Sequence, residues 1–166
     1  MYALSADVKA YESDKAGYYR TLSAQLKSLL EVERDAVTNM AQTAAFIYSM
    51  IPELNWAGFY LVRQEDKLTL GPYQGRVACV HIPFGTGVCG TVAANHEAIC
   101  VNDVHSFEGH IACDSASNSE IVVPLVKHGQ LIGVLDIDSP VKDRFTPDDL
   151  EGFKLLAEIF LQASDI

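Results

Sequence analysis

The stretch IVVPLVKHGQLIGVLDID, residues 121–138, constrains the fold more than any other. Two apolar runs, 121–126 and 131–138, flank a polar break around His128 and Gly129. Runs of this length and β-branched content, joined across a glycine, read as a β-hairpin. The second run ends Leu135-Asp136-Ile137-Asp138. Side chains alternate across a strand, so Asp136 and Asp138 share one face while Leu135 and Ile137 take the other. One face of this sheet therefore belongs to a core, and the other must accommodate two carboxylates. A three-residue loop, His128–Gln130, would pair position 127 with 131 and set Glu120 opposite Asp138. Cross-strand neighbours share a face, so Glu120, Asp136 and Asp138 would converge. A two-residue turn would send Glu120 to the wrong side. Carboxylates gathered like this repel one another and are costly if buried unpaired, so they either sit at the solvent end of the strand or hold a cationic group or supply a proton.

Helical patterns lie on both sides of the strand region. Leu22, Leu26, Leu29 and Leu30 give helical spacing over 17–30, and Val37, Met40, Ala44, Ile47 and Ile51 continue it over 35–51 until Pro52 stops it. A last helix starts at Thr146, with Pro147 in its first turn and Asp148 and Asp149 at the positive end of its dipole. Further strands are predicted at 55–62, 67–73, 77–83 and 98–101. This order predicts an α+β domain: a central antiparallel sheet with N- and C-terminal helices on one face and ligand-covering loops on the other. The chain has 166 residues and 49% apolar content, enough for one core, and no repeat or domain break divides it. Residues 1–166 are read as a single domain in which 1–16 form a poorly determined N-terminal segment.

A net charge of −10 argues against nucleic acid or an anionic membrane as partner. No apolar run approaches the roughly 20 residues of a membrane span, and the N-terminus has no secretory pattern. A cytoplasmic location is expected. The four cysteines are 79, 89, 100 and 113, without a Cys-x-x-Cys pair. His110 and Cys113 form a lone His-x-x-Cys, and no metal is expected. In a cytoplasmic chain such thiols are either buried and inert or redox-active. Cys100, in AICV, reads as a core strand residue. Cys89, in GTGVCGTVA, sits near a predicted helix N-terminus and reads either as a thiol whose pKa the helix start lowers or as a small residue packed under the loop, and the glycine amides around it favour an anion such as a carboxylate. Cys113 lies in GHIACDSASNSE, a run of small polar residues unlike either core or linker. Trp56 and Tyr60, four apart on one strand, face the same side; they read either as core, the commoner role of such aromatics, or as an apolar wall for a ligand. His81, His96, His105 and His128 read as surface or loop residues.

The stretches NWAGFYL, LGPYQGRVACVHIPFGTGVCG, DVHSFEGHIACDSASNSEIVVPL and IGVLDIDS together resemble the free methionine-(R)-sulfoxide reductases, stand-alone GAF-domain enzymes. The likeness runs from about residue 20 to the end and is densest over 55–139. Its specific part is the spacing of Cys79, Cys89 and Cys113, with Cys100 outside the pattern. The resemblance implies a GAF-like fold and reduction of free methionine (R)-sulfoxide to methionine without a bound cofactor. A thiol would become a sulfenic acid, a second would condense with it to a disulfide, and an external dithiol such as thioredoxin would restore both. It implies Cys113 as attacking and Cys79 as resolving thiol, with Cys89 a rival for either role. Glu120, Asp136 and Asp138 would hold the substrate's ammonium, one of them donating a proton, and Trp56 and Tyr60 would enclose its methyl group. A homodimer joined through the N-terminal helices is also implied. The competing reading is a non-catalytic GAF sensor for a cyclic nucleotide or an amino acid. Against it stand the spaced thiols and an acidic site that repels phosphate.

Overall fold

In the computed structural model, which describes residues 4–166 other than 112 and 114, the chain opens with three helices. These are α1 (Val8–Ser13), α2 (Lys15–Leu30) and α3 (Ala36–Met50). Each starts on an aspartate: the side chains of Asp7, Asp14 and Asp35 accept from the amides of Ala10, Gly17 and Thr38. Such a carboxylate satisfies an amide with no intrahelical partner and meets the positive end of the dipole. α2 buries Leu22, Leu26 and Leu30, and α3 buries Met40, Ala44 and Ile47, along the stripes expected of them. α1 lies within the segment that sequence left undetermined. Its 6 residues are too few to show a period, yet it buries Tyr11.

α5 (Pro147–Ala163) begins in a capping box between Thr146 and Asp149. Asp149 is more than a dipole partner. It is fully buried, and it accepts from Lys15 Nζ at 2.8 Å, from the Tyr19 hydroxyl at 2.8 Å and from the Tyr11 hydroxyl. Burial alone would raise its carboxyl, but the bonds from Lys15 and Tyr11 outweigh it and hold the group below the usual range. One side chain thus ties α1 and α2 to α5.

The sheet has six strands in the order β3-β2-β1-β6-β5-β4, every pair antiparallel. They are β1 (Trp56–Gln64), β2 (Lys67–Gly75), β3 (His81–Pro83), β4 (Ile99–Val101), β5 (Ser119–Lys127) and β6 (Gln130–Ser139), with α4 (Gly87–Asn95) between β3 and β4. Alternation sorts the two faces. Phe59, Ile121, Val123, Leu135 and Ile137 pack with the apolar stripes of α2, α3 and α5. Trp56, Tyr60, Val122 and Val134 point the other way, into a second apolar cluster with Ile82 and with Val88 and Val92 of α4. Helices on one face and loops on the other is the predicted architecture.

Two local expectations are corrected. The β5–β6 turn is not a three-residue loop. Lys127 pairs with Gln130, and His128 and Gly129, both at positive φ (52° and 76°), make a two-residue turn. A register shift follows, since Val126 pairs with Leu131 but Leu125 with Gly133. The extra residue, Ile132, is a β-bulge that offsets the shorter turn, so Glu120 still faces Asp138. The third strand is also shorter than the predicted 77–83. Only His81–Pro83 form β3, which leaves Cys79 in the connection before it.

Candidate active site

The carboxylates meet on the face away from the long helices. Glu120 pairs with Asp138, Asp138 with Trp56, and Asp136 with Gly58 and Val122. Glu120, Asp136 and Asp138 are respectively 7%, 6% and 9% exposed, so this is a buried cluster and not a solvated strand end. α4 lays Cys89 over it, with the thiol 3.9 Å from Glu120 Oε1. Among the described residues Asp136 Oδ1 has no hydrogen-bond partner. Burial, reinforced by Asp136 and Asp138, pushes the Glu120 carboxyl well up from its ordinary range. Burial likewise raises Asp136, to about 6. Glu120 thus keeps a proton that its neighbours' charges make costly to lose.

The same surroundings decide between the two readings of Cys89 in favour of the packed thiol. Its thiol is pushed up, first by burial and then by Asp136, Glu120 and Asp138. Desolvation and nearby negative charge outweigh the helix N-terminus, so Cys89 stays a thiol. The glycine loop is also partly committed: the amides of Gly85, Thr86 and Gly87 donate to the carbonyls of Gly90, Pro83 and Gly109. The last of these bonds joins the α4 loop to the loop that carries Cys113.

Cys113 is disulfide-bonded to Cys79, with Cα atoms 5.3 Å apart, while Cys89 and Cys100 are free. A narrow recess of about 40 Å3, partly open to solvent, lies beneath this bridge. Its lining includes Cys113, Cys89, Tyr60 and all three carboxylates. Its composition suits a small polar group that is cationic. The Tyr60 hydroxyl donates to the Cys79 carbonyl at 3.1 Å and fixes the start of the bridge. Trp56 stacks on Tyr60 (5.7 Å between centroids) and on Tyr73 (5.0 Å), and so buttresses the wall from behind instead of lining the recess.

Residues 18–163 match the GAF domain family. The chain is 50% identical over 143 residues to the free methionine-R-sulfoxide reductase of Escherichia coli (strain K12), covering 86% of each protein. It is 43% identical to the enzyme of that name from Saccharomyces cerevisiae, covering 74% of this chain and 72% of the relative. The crystal structure of the Neisseria meningitidis free methionine-R-sulfoxide reductase in complex with its substrate superposes with a TM-score of 0.86 at 44% identity, covering 90% of each chain. The chain is a GAF-domain protein of the free methionine-R-sulfoxide reductase family.

The family's GAF scaffold explains which residues meet here and which do not. Cys113, Cys89, Tyr60, Glu120, Asp136 and Asp138 all reach one recess, whereas Cys79 enters through its bond to Cys113 and Trp56 through stacking. Cys100 stands apart and half-exposed, packed against the helix-side core. Cys89, Glu120 and Asp136 bring one ligand atom each to within 4.8 Å of one another, a spacing that a divalent cation or an ammonium group could use. Sequence reasoning missed His110, Ile111 and Ser117 on the recess wall and Tyr73 behind Trp56. His110 and Ile111 were detectable as neighbours of Cys113; Tyr73 reaches Trp56 only through the β1–β2 register. Among the described residues no helix is long and apolar enough to cross a membrane.

Proposed function

We propose that this chain reduces free methionine (R)-sulfoxide to methionine with its own thiols. The observation that carries the reading is the Cys79–Cys113 disulfide closing over a recess floored by buried carboxylates. In the reduced enzyme Cys113 attacks the sulfoxide sulfur while Glu120, the carboxyl that burial keeps protonated, donates to its oxygen. The oxygen passes to Cys113 as a sulfenic acid and methionine departs. Cys79 then attacks the Cys113 sulfur, water leaves, and the disulfide forms. An external dithiol of the thioredoxin type returns two electrons.

Selectivity for the free amino acid rests on the ammonium. Asp136, whose Oδ1 lacks a partner among the described residues, and Asp138 accept it. The first-turn amides of Val88 and Cys89, both on the recess wall, receive the α-carboxylate. Tyr60, backed by Trp56, bounds the methyl group. Cys89 keeps its proton, which argues against it as first nucleophile and fits a thiol that steadies Glu120. The enzyme works in the cytoplasm as a homodimer joined through its N-terminal helices. The test incubates it with racemic methionine sulfoxide and dithiothreitol. Consumption of half the substrate, the R epimer, supports the reading; no consumption favours a ligand-binding sensor.

A further inference from the structure

We propose that the reducing partner docks on an apolar collar formed by Val77 and Val80 and attacks Cys79, not Cys113. The inference rests on the reductase reading above and adds the route by which electrons enter. Val77 is 85% exposed and Val80 57% exposed, and they flank the half-buried Cys79. Exposed valines flanking a redox-active sulfur are not neutral decoration, because burying them rewards a partner that approaches from this side. The collar is rigid from beneath. Trp56 Nε1 donates to the Arg76 carbonyl at 3.1 Å, the Tyr60 hydroxyl to the Cys79 carbonyl at 3.1 Å, and the Leu70 amide to the Val80 carbonyl at 2.9 Å. A preorganised surface of this kind loses little entropy on docking.

Charge points to the same surface. The chain carries 22 Asp and Glu residues, yet none falls between Asp66 and Glu97. Arg76 and His81, both exposed, border the valines. A partner meets no carboxylate of this segment around Cys79, in a protein whose net charge is otherwise −10. The chemistry selects the sulfur. Cys113 lines the recess beside Cys89, Glu120 and Asp136, whereas Cys79 is not part of that lining. Both cysteines are half-buried, but only Cys79 lies between the two exposed valines, so a dithiol protein seated on that apolar rim presents its thiolate to Cys79.

The exchange balances in two displacements. The partner's first thiolate bonds to Cys79 Sγ, the Cys79–Cys113 bond breaks, and Cys113 leaves as a thiolate already inside the recess. The partner's second thiolate then attacks its own first sulfur, and Cys79 leaves as a thiolate that solvent protonates. The partner is oxidised to a disulfide, and two electrons reduce this protein.

The test uses the oxidised full-length protein and a thioredoxin whose second active-site cysteine is changed to Ser, so that the mixed disulfide accumulates. After quenching with acid and N-ethylmaleimide, peptide mass mapping should find the thioredoxin on Cys79; attachment to Cys113 overturns the attack direction. In parallel, the double variant Val77→Ser/Val80→Ser should be reduced by intact thioredoxin about tenfold more slowly, a modest loss for two apolar contacts, while dithiothreitol reduces it at the wild-type rate. Equal rates for variant and wild type with thioredoxin overturn the collar. Turnover of methionine sulfoxide with dithiothreitol tests the reductase reading separately.

Discussion

Replacing Asp136 with Asn removes one charge from the carboxylate cluster and changes almost nothing in volume. If Asp136 accepts the substrate's ammonium, the loss should appear only with substrates that carry one. Asp136 is 6% exposed and its Oδ1 has no partner among the described residues, so an ammonium placed there would be paired away from water. Truncating one member of such a desolvated pair costs about 2–5 kcal/mol. At about 1.4 kcal/mol per factor of ten, kcat/KM for free methionine (R)-sulfoxide should fall roughly 30- to 4,000-fold in Asp136→Asn. The comparison substrate is 4-(methylsulfinyl)butanoate, which keeps the sulfoxide and carboxylate but has hydrogen in place of the amine. Wild type should process it poorly, and Asp136→Asn should be little worse than wild type. The four kcat/KM values form a double-mutant cycle whose coupling energy isolates the ammonium contact. Thermal unfolding of the substrate-free variant supplies the control: neutralising a charge among like charges should not lower Tm. Equal loss with both substrates would refute the ammonium assignment, and a lower Tm would reassign Asp136 to a structural role.

The remaining predictions concern thiols and stability. Cys113→Ser should abolish methionine formation even in a single turnover, Cys79→Ser should complete one turnover and leave a sulfenate that dimedone traps, and Cys100→Ser should match wild type. Full first-turnover activity in Cys113→Ser would overturn the assignment in favour of Cys89. Because the Asp149 carboxyl is held below its ordinary range in the fold, its contribution to stability is complete above the unfolded carboxylate's pKa and disappears as pH falls through the lower folded value. Urea midpoints should thus drop more steeply below about pH 4 in wild type than in Asp149→Asn, with the opposite contributions of Glu120 and Asp136 common to both proteins. Parallel curves would contradict the sign. At Gly152 an added Cβ would lie 2.2 Å from the Tyr19 ring. Gly152→Ala should therefore cost about 1–3 kcal/mol, and a calorimetric Tm equal to wild type would show that α2 and α5 separate freely.

How much of this was legible in the sequence depended on range. The helices and the faces of β1, β5 and β6 follow from short periods, which local patterns carry faithfully. The convergence of Glu120, Asp136 and Asp138 was read correctly by an incorrect route, because the shorter turn and the bulge displace the register in opposite directions. A signal for that bulge existed. Gly133 interrupts the strand, and an added Cβ there would lie 2.2 Å from the Tyr60 carbonyl oxygen, the close backbone approach that a strand glycine marks.

Cys89 shows where local reading fails and why. Its neighbours, three glycines and a helix start, fit a lowered pKa, and local sequence leaves that reading level with a small residue packed under the loop. The groups that decide its state arrive from β5 and β6, at least 31 residues away, and they bring burial and negative charge with them. Equal spacing motifs thus contain thiols of unlike character. Cys79 and Cys113 sit half-buried in loops, where a sulfur can be attacked and bonded; Cys89 sits on the buried side of α4, where burial and three carboxylates oppose its ionisation. The proposed reduction must protonate an oxygen and so needs a group that keeps its proton at neutral pH, and crowding carboxylates under a thiol supplies one. The burial that makes Cys89 a poor nucleophile is therefore the same burial that suits Glu120 to act as an acid.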